Sequence, residues 1–238
     1  MLSCKQETKH LTSIQGAQLG VDSTLVEVDS IKEFVAPFKN RVDAILDSTL
    51  CYAPKSLLLN DGQRNTSMGN FLADLIYEET NPLVEKKIGK SLDFVVMNKG
   101  GIRSVLSKGK VTARNAYEIM PFENYISVVE LNGTQVRKLV LFLANSKRAH
   151  AISGLEIVLD TSGGLESVNI QGKPFDENQN YHVATSDYLV SGGSDIGFFP
   201  EFESLTDTEY LLRNAIIDHF KRKDTLTAQV DKRFIQLQ

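Results

Sequence analysis

Tryptophan is absent from the 238 residues, and only two cysteines and four histidines occur. Each scarcity excludes something. Cys4 and Cys51 form neither a CxxC pair nor a metal-ligand spacing, so zinc-ribbon and disulfide-framework classes drop out, while a single Cys4–Cys51 bridge stays conceivable. His10, His150, His182 and His219 make no His-x-x-x-His, Asp-x-His, Asn-His-Asp/Glu or His-x-His pattern. A zinc or dinuclear site draws on such clusters, because imidazole and carboxylate must converge on one ion. A Gly-x-Ser-x-Gly elbow and a GxxxxGK[ST] phosphate loop are also missing. Apolar runs last only a few residues, far short of the roughly 20 that cross a bilayer, so no transmembrane segment is expected. Nor is there a basic excess. With 26 Lys and Arg against 30 Asp and Glu, the net charge is −4, and no field exists to attract nucleic acid.

What is there is the stock of an ordinary water-soluble globular protein. It is 42% hydrophobic and 24% charged, enough apolar material for a full core in one large domain or two small ones. Residues 1–28 are polar and weakly patterned, and read as an extended arm. Within it "MLSCKQE" places a small residue before Cys4, as at the end of a bacterial lipoprotein signal, but without a charged n-region or an apolar h-region. Two readings stand. One is a chance Ser-Cys in a frayed terminus, with the chain cytoplasmic if it is complete as written. The other is an anchor remnant, with export as a periplasmic or outer-membrane lipoprotein through Cys4 if the true start lies upstream.

From residue 29 to 238 the pattern is that of one α+β domain. Ile31, Phe34, Val35, Phe38, Val42, Ile45 and Leu46 recur at helical steps, with Asp29 or Ser30 as cap and a kink expected at Pro37. "TLCYAP" and "KSLLLN" are strand-like. Ser67 can cap a helix carrying Met68, Phe71, Leu72, Leu75 and Ile76, which Asn81-Pro82 should stop. "LDFVVMN" reads as a buried strand, "TARNAYEIMPF" as a short helix and "YISVVEL" as a strand. Thr134 can cap a helix with Val136, Leu139, Val140 and Leu143. Strands are expected at "ISGLEIVLD", "LESVNIQ" and "YHVATSDYL", then a helix over "DTEYLLRNAIIDHFKRK" and an edge strand at "RFIQLQ". Hairpin signals outnumber crossover units, which favours a mixed sheet with packed helices over a doubly wound parallel fold.

Candidate chemistry sits where strands give way to loops. In "VMNKGGIRSVLSKG" a strand runs into Asn98, and Gly100-Gly101 separate it from Arg103. Phe122 follows Pro121 in "MPFEN", and Tyr188 precedes Gly192-Gly193 and Asp195 in "SDYLVSGGSD". Asn, Arg and Asp can hydrogen-bond heterocycle edges and sugar hydroxyls, and aromatic rings stack on a flat base. Taken singly, Phe122 is most simply core, Tyr188 a strand residue and the paired glycines a turn. Their recurrence beside Asn, Arg and Asp is what points to a binding site.

The stretches "SMGNFLADLI", "VMNKGGIRSVLSKGKVTARNAYEIMPFENYISVVELNGTQV", "SGLEIV" and "YHVATSDYLVSGGSDIGFF" resemble, in that order, the C-terminal substrate-binding domain of the 5′-nucleotidase and UDP-sugar hydrolase family. The resemblance runs from about Asp29 to the C-terminus. It implies the family's mixed α+β fold and a nucleoside or nucleotide ligand. Asn98 and Arg103 match the asparagine and arginine that line the family's nucleoside site, around Gly100 and Gly101. Phe122 matches a phenylalanine stacked on one face of the base, and Tyr188 stands where a second aromatic covers the other face. The family aspartate that binds ribose directly follows the late glycine pair; here Ser194 takes that place and Asp195 is displaced by one. A further family arginine falls near Gly62, with Arg64 as the candidate substitute. The family carries catalysis on a metallophosphoesterase domain that binds divalent ions, and no such motifs occur in this sequence. The resemblance therefore implies a recognition half that works with a separate metallophosphoesterase chain and lacks hydrolytic activity alone. A self-sufficient phosphatase and a non-catalytic interaction protein are the alternatives.

Overall fold

The computed structural model describes residues 10–194, 199 and 201–238. The chain divides into two compact units, Met1–Val42 and Asp43–Gln238. The division falls inside α1 (Asp29–Leu46), which continues as helix through Pro37. None of the α1 residues is buried, and Phe34 and Phe38 remain exposed. Residues 10–28 contain no helix or strand.

In the second unit, β1 (Thr49–Ala53) pairs antiparallel with β3 (Gly109–Thr112). Between them lie α2 (Ser67–Ile88) and β2 (Phe94–Met97); α3 (Ala113–Ile119), β4 (Tyr125–Asn132) and α4 (Gly133–Asn145) follow. Next come β5 (Ala151–Ser153), β6 (Leu155–Leu159), β7 (Leu165–Ile170), β8 (Lys173–Pro174) and β9 (Asn180–Ser186). The last elements are α5 (Asp187–Val190), β10 (Ser204–Leu211), α6 (Leu212–Arg222) and β11 (Phe234–Gln236). Among the described residues a five-stranded sheet has the order β10-β4-β9-β2-β5, with β2 and β9 parallel and the other pairs antiparallel. A four-stranded sheet, β11-β6-β7-β8, has β11 at its edge. The expected α+β class with mixed sheet and packed helices is what forms.

Alternation along the central strands explains the layering. Val95, Met97, Ile126, Val128 and Ala184 face a core with α2, α3 and α6, whereas Phe94, Val96, Val129, Leu131 and Val183 face another with α4 and β6. With both faces covered, strands such as Phe94–Met97 are apolar at every position. Each large side chain so buried contributes about 1.5–3 kcal/mol.

Several local expectations are corrected. Thr66, not Ser67, caps α2 by accepting from the Gly69 N–H at 3.1 Å; Ser67 instead donates to Asp61. The helix passes Pro82 because Val84 is buried beyond the point where Asn81-Pro82 should stop it, and it ends at Gly89 with φ 69°. Asn132, not Thr134, caps α4, with Gln135 closing a reciprocal capping box. "KSLLLN" forms no strand beyond one bridge from Leu57 to Leu106. The end of "YHVATSDYL" turns into α5, whereas the break of "ISGLEIVLD" into β5 and β6 at Gly154 (φ 75°) falls at the Ser153-Gly154 step where the sequence breaks that strand. Most notably, "DTEYL" is strand: β10 pairs with β4, and α6 begins only at Leu212.

Candidate functional site

The central sheet brings three loops to one edge. Ile126 at the start of β4 pairs with Ser186 at the end of β9. Parallel pairing of Phe94 with Val183 and Val95 with Ala184 brings the end of β2 to the same side. Asn98, Phe122 and Tyr188 therefore emerge together, one from each of three adjacent strands.

Asn98 is 6% exposed, and its side-chain amide makes no hydrogen bond among the described residues. A short 3-10 turn, Lys99–Gly101, follows it, closed by the Gly101 N–H donating to the Asn98 carbonyl at 3.1 Å. Of the two glycines, Gly101 makes the tighter approach to the Asn98 side chain, and neither has a left-handed backbone. A Cβ on Gly101 would stand 3.0 Å from Asn98 Oδ1, and one on Gly100 3.4 Å from Nδ2. They let the turn pack closely against a polar, hydrogen-bond-capable amide. Lys99 Nζ donates to Asn60 Oδ1 at 2.9 Å, away from this amide.

Arg103 is exposed and anchored through its backbone, whose N–H donates to the Ile119 carbonyl at 2.9 Å. Its Nη1 donates to the Gly100 carbonyl at 3.2 Å, and its guanidinium carbon lies 6.0 Å from the centre of the Phe122 ring, at the outer limit of cation–π contact. Phe122 is 41% exposed, so it is not the core residue that its type alone suggests.

Tyr188 is likewise 47% exposed, and sits in α5 rather than in a strand. Its ring packs on Gly193, where a Cβ would come within 2.4 Å of Cε2. The Gly193 N–H donates to the Tyr188 carbonyl at 2.8 Å and the Ser194 N–H to the Tyr188 hydroxyl at 3.2 Å. Gly192 (φ 87°) and Ser194 (φ 66°) both adopt left-handed backbone, which winds the turn tightly enough to hold the ring. Asp195 lies outside the described residues, as does Cys4.

Arg64 is placed differently. Its Nη1 donates to the Ala144 and Ser146 carbonyls at 2.9 and 3.2 Å, its Nη2 to Gln236 Oε1 at 3.1 Å, and its guanidinium covers the Phe234 ring. These bonds satisfy the open carbonyls at the end of α4, and the side chain is not brought among Asn98, Arg103, Phe122 and Tyr188. The histidines divide similarly: His219 is buried and bonded through Nδ1 to Glu79 at 2.9 Å, and His182 is a buried strand residue. Among the described residues no three His, Cys, Asp or Glu side chains converge to hold a metal ion.

One contributor escaped the sequence reading. Arg213, in the first turn of α6, donates to the Phe122 carbonyl and the Glu123 carboxylate. Its only sequence signal is an arginine beside Leu212, Ala215 and Ile216 on the buried face of a helix.

The sequence profile described as "5'-nucleotidase, C-terminal domain" matches residues 53–203. The chain belongs to the 5′-nucleotidase C-terminal domain family. The match covers all three site loops up to Glu203. Protein UshA of Yersinia enterocolitica is 25% identical over 207 residues, covering 84% of this chain and 36% of that protein. Cell wall protein Lmo0130 of Listeria monocytogenes is 27% identical over 222 residues, covering 82% of this chain and 28% of that one. The crystal structure of a 5'-nucleotidase precursor from Thermus thermophilus superposes with a TM-score of 0.71 at 22% identity, covering 88% of this chain and 43% of that one. Haemophilus influenzae NAD nucleotidase gives 0.64 at 19% identity, with coverages of 89% and 42%. These likenesses establish the fold of this 5′-nucleotidase C-terminal domain, and the chain spans less than half the length of each. No helix among its described residues is long and apolar enough to cross a membrane.

Proposed function

We propose that the chain recognises the nucleoside part of a nucleotide and positions it for 5′-phosphate hydrolysis by a metallophosphoesterase on a separate chain, the two forming a split 5′-nucleotidase. The observation that supports this reading is that the loops bearing Asn98, Arg103, Phe122 and Tyr188 lie at the same end of the adjacent strands β2, β4 and β9 in a member of this family. Phe122 and Tyr188 would flank the base, the free Asn98 amide would bond its edge, and Arg103, joined by Asp195, would hold the ribose. Divalent ions would belong to the partner, for which the described residues offer no cradle. Orientation of the ester against that partner's metal-activated water would be the contribution of this chain to the rate. Export with lipidation at Cys4 is part of the same proposal.

The test is calorimetric titration of adenosine and AMP. The wild-type chain should bind both and release no phosphate, and Phe122→Ala should weaken binding by about 1–3 kcal/mol if base stacking carries it. Absence of binding at millimolar ligand, with the chain folded, sinks the proposal. A second reading, an interaction domain with a decayed pocket, is favoured by the commitment of Arg64 to the end of α4 and by Ser194 directly after the glycine pair. It predicts a folded chain that binds neither compound.

A further inference from the structure

Arg213 is 7% exposed, and its hydrogen bonds and ring contact among the described residues go to the segment 117–123, which presents Phe122. Its guanidinium carbon lies 4.3 Å from the centre of the Tyr117 ring in α3. Its Nη2 donates to Glu123 Oε1 at 2.5 Å and its Nη1 to the Phe122 carbonyl at 3.4 Å. The neighbouring Leu212 N–H donates to the Asn124 carbonyl at 2.9 Å. Two consecutive residues of α6 thus pin three consecutive residues of the turn between α3 and β4.

Arginine is a costly choice for this position. Its Nε is buried with no hydrogen-bond partner, and burying a charged group carries a desolvation penalty. Leucine or methionine would pack beside Leu212, Ala215 and Ile216 without that penalty. The guanidinium, however, can stack flat on a ring while its edge donates to a carbonyl and a carboxylate in fixed directions. Glu123 is 77% exposed at its side chain, so this ion pair adds little to the core and acts on the turn.

We infer that Arg213 is a positioning residue for Phe122: it fixes the backbone of the 122–124 turn, and through it the angle at which the ring stands at the sheet edge. The inference rests on the nucleoside reading of that edge, and deepens it.

The experiment measures adenosine affinity by calorimetry for wild type, Arg213→Gln, Arg213→Lys, Phe122→Ala and the double variant Phe122→Ala/Arg213→Gln, with thermal unfolding as a folding check. Arg213→Gln should weaken binding about tenfold, the scale of one charge-assisted hydrogen bond. Lysine should restore part of the loss, since it keeps the charge and loses the planar fork. In the Phe122→Ala background Arg213→Gln should add nothing, because its effect passes through the missing ring. Wild-type affinity in Arg213→Gln, or an equal loss with and without Phe122, overturns the inference. Should Arg213→Gln fail to fold, Glu123→Ala carries the same comparisons, with a smaller loss expected. Should wild type bind no adenosine, the nucleoside reading falls, and positioning is read without ligand from chymotrypsin cleavage after Phe122. Cleavage should then be several-fold faster in Glu123→Ala than in wild type at matched global stability; equal rates refute the pinning.

Discussion

Gly193→Ala puts the least possible extra volume against the Tyr188 ring. A Cβ there would lie 2.4 Å from Cε2, 2.5 Å from Cζ and 2.5 Å from the Tyr188 carbonyl oxygen. Carbon atoms in contact normally sit about 3.5–4.0 Å apart, so the ring must retreat by about 1 Å. The carbonyl cannot follow freely, because it accepts from the Gly193 N–H at 2.8 Å and from the Ser191 hydroxyl at 3.0 Å. The tyrosine hydroxyl is held by the Ser194 N–H as well. Overpacking of this kind costs about 1–3 kcal/mol, and the most mobile atoms in contact are those of the ring. If Tyr188 covers one face of a bound base, most of that cost appears as lost affinity, a roughly 5- to 30-fold rise in Kd for adenosine or about 1–2 kcal/mol. The assay is calorimetric titration with thermal unfolding alongside, and Gly16→Ala, in open space, as control. Wild-type affinity in Gly193→Ala would refute the role given to Tyr188.

Two other perturbations address the rest of the domain. Arg64→Ala removes three hydrogen bonds at the end of α4 and on β11, and should cost about 1–3 kcal/mol of stability in urea denaturation while leaving the adenosine Kd unchanged. A large loss of affinity with unchanged stability would return Arg64 to the ligand site. Burial holds His219 below the usual histidine value, against the opposing pull of Glu78, while Arg222 already compensates Glu79. The unfolded chain takes up this proton near pH 6.5 and the folded chain only at lower pH. Stability from this residue is therefore full above about pH 6.5 and declines as pH falls toward the folded value. Urea midpoints should drop between pH 7.5 and 5.5 in wild type and drop less in His219→Gln; a midpoint that rises on acidification contradicts the assignment.

The legible parts of this chain were those where local chemistry and tertiary packing agree. Phe94–Met97 is apolar at every position and lies between two layers. The glycine pairs beside Asn98 and Tyr188 mark close approaches, which the structure shows at Gly101 and Gly193. Misreadings arose where long-range partners overrode local signals. Asp207-Thr208-Glu209 looks like a helix start, yet Thr206, Thr208 and Tyr210 alternate as half-buried residues, and β4 supplies the strand's hydrogen bonds. Asn81-Pro82 looks like a stop, yet burial of Val84 and an Asn81 side chain bonded to Glu85 and Leu92 carry α2 onward. Arg213 was invisible for the same reason. Its partners Tyr117 and Glu123 lie about 90 residues away, and nothing in the α6 sequence names them.

The central claim, that a nucleoside sits at the edge formed by β2, β4 and β9, is tested most directly by a hydrogen-exchange footprint with saturating adenosine. The account predicts slowed exchange in three segments, residues 98–103, 121–124 and 186–194, with the rest of the domain unchanged. Protection confined to another surface, such as residues 154–155 and 231–233, or no protection at any ligand concentration, would contradict it.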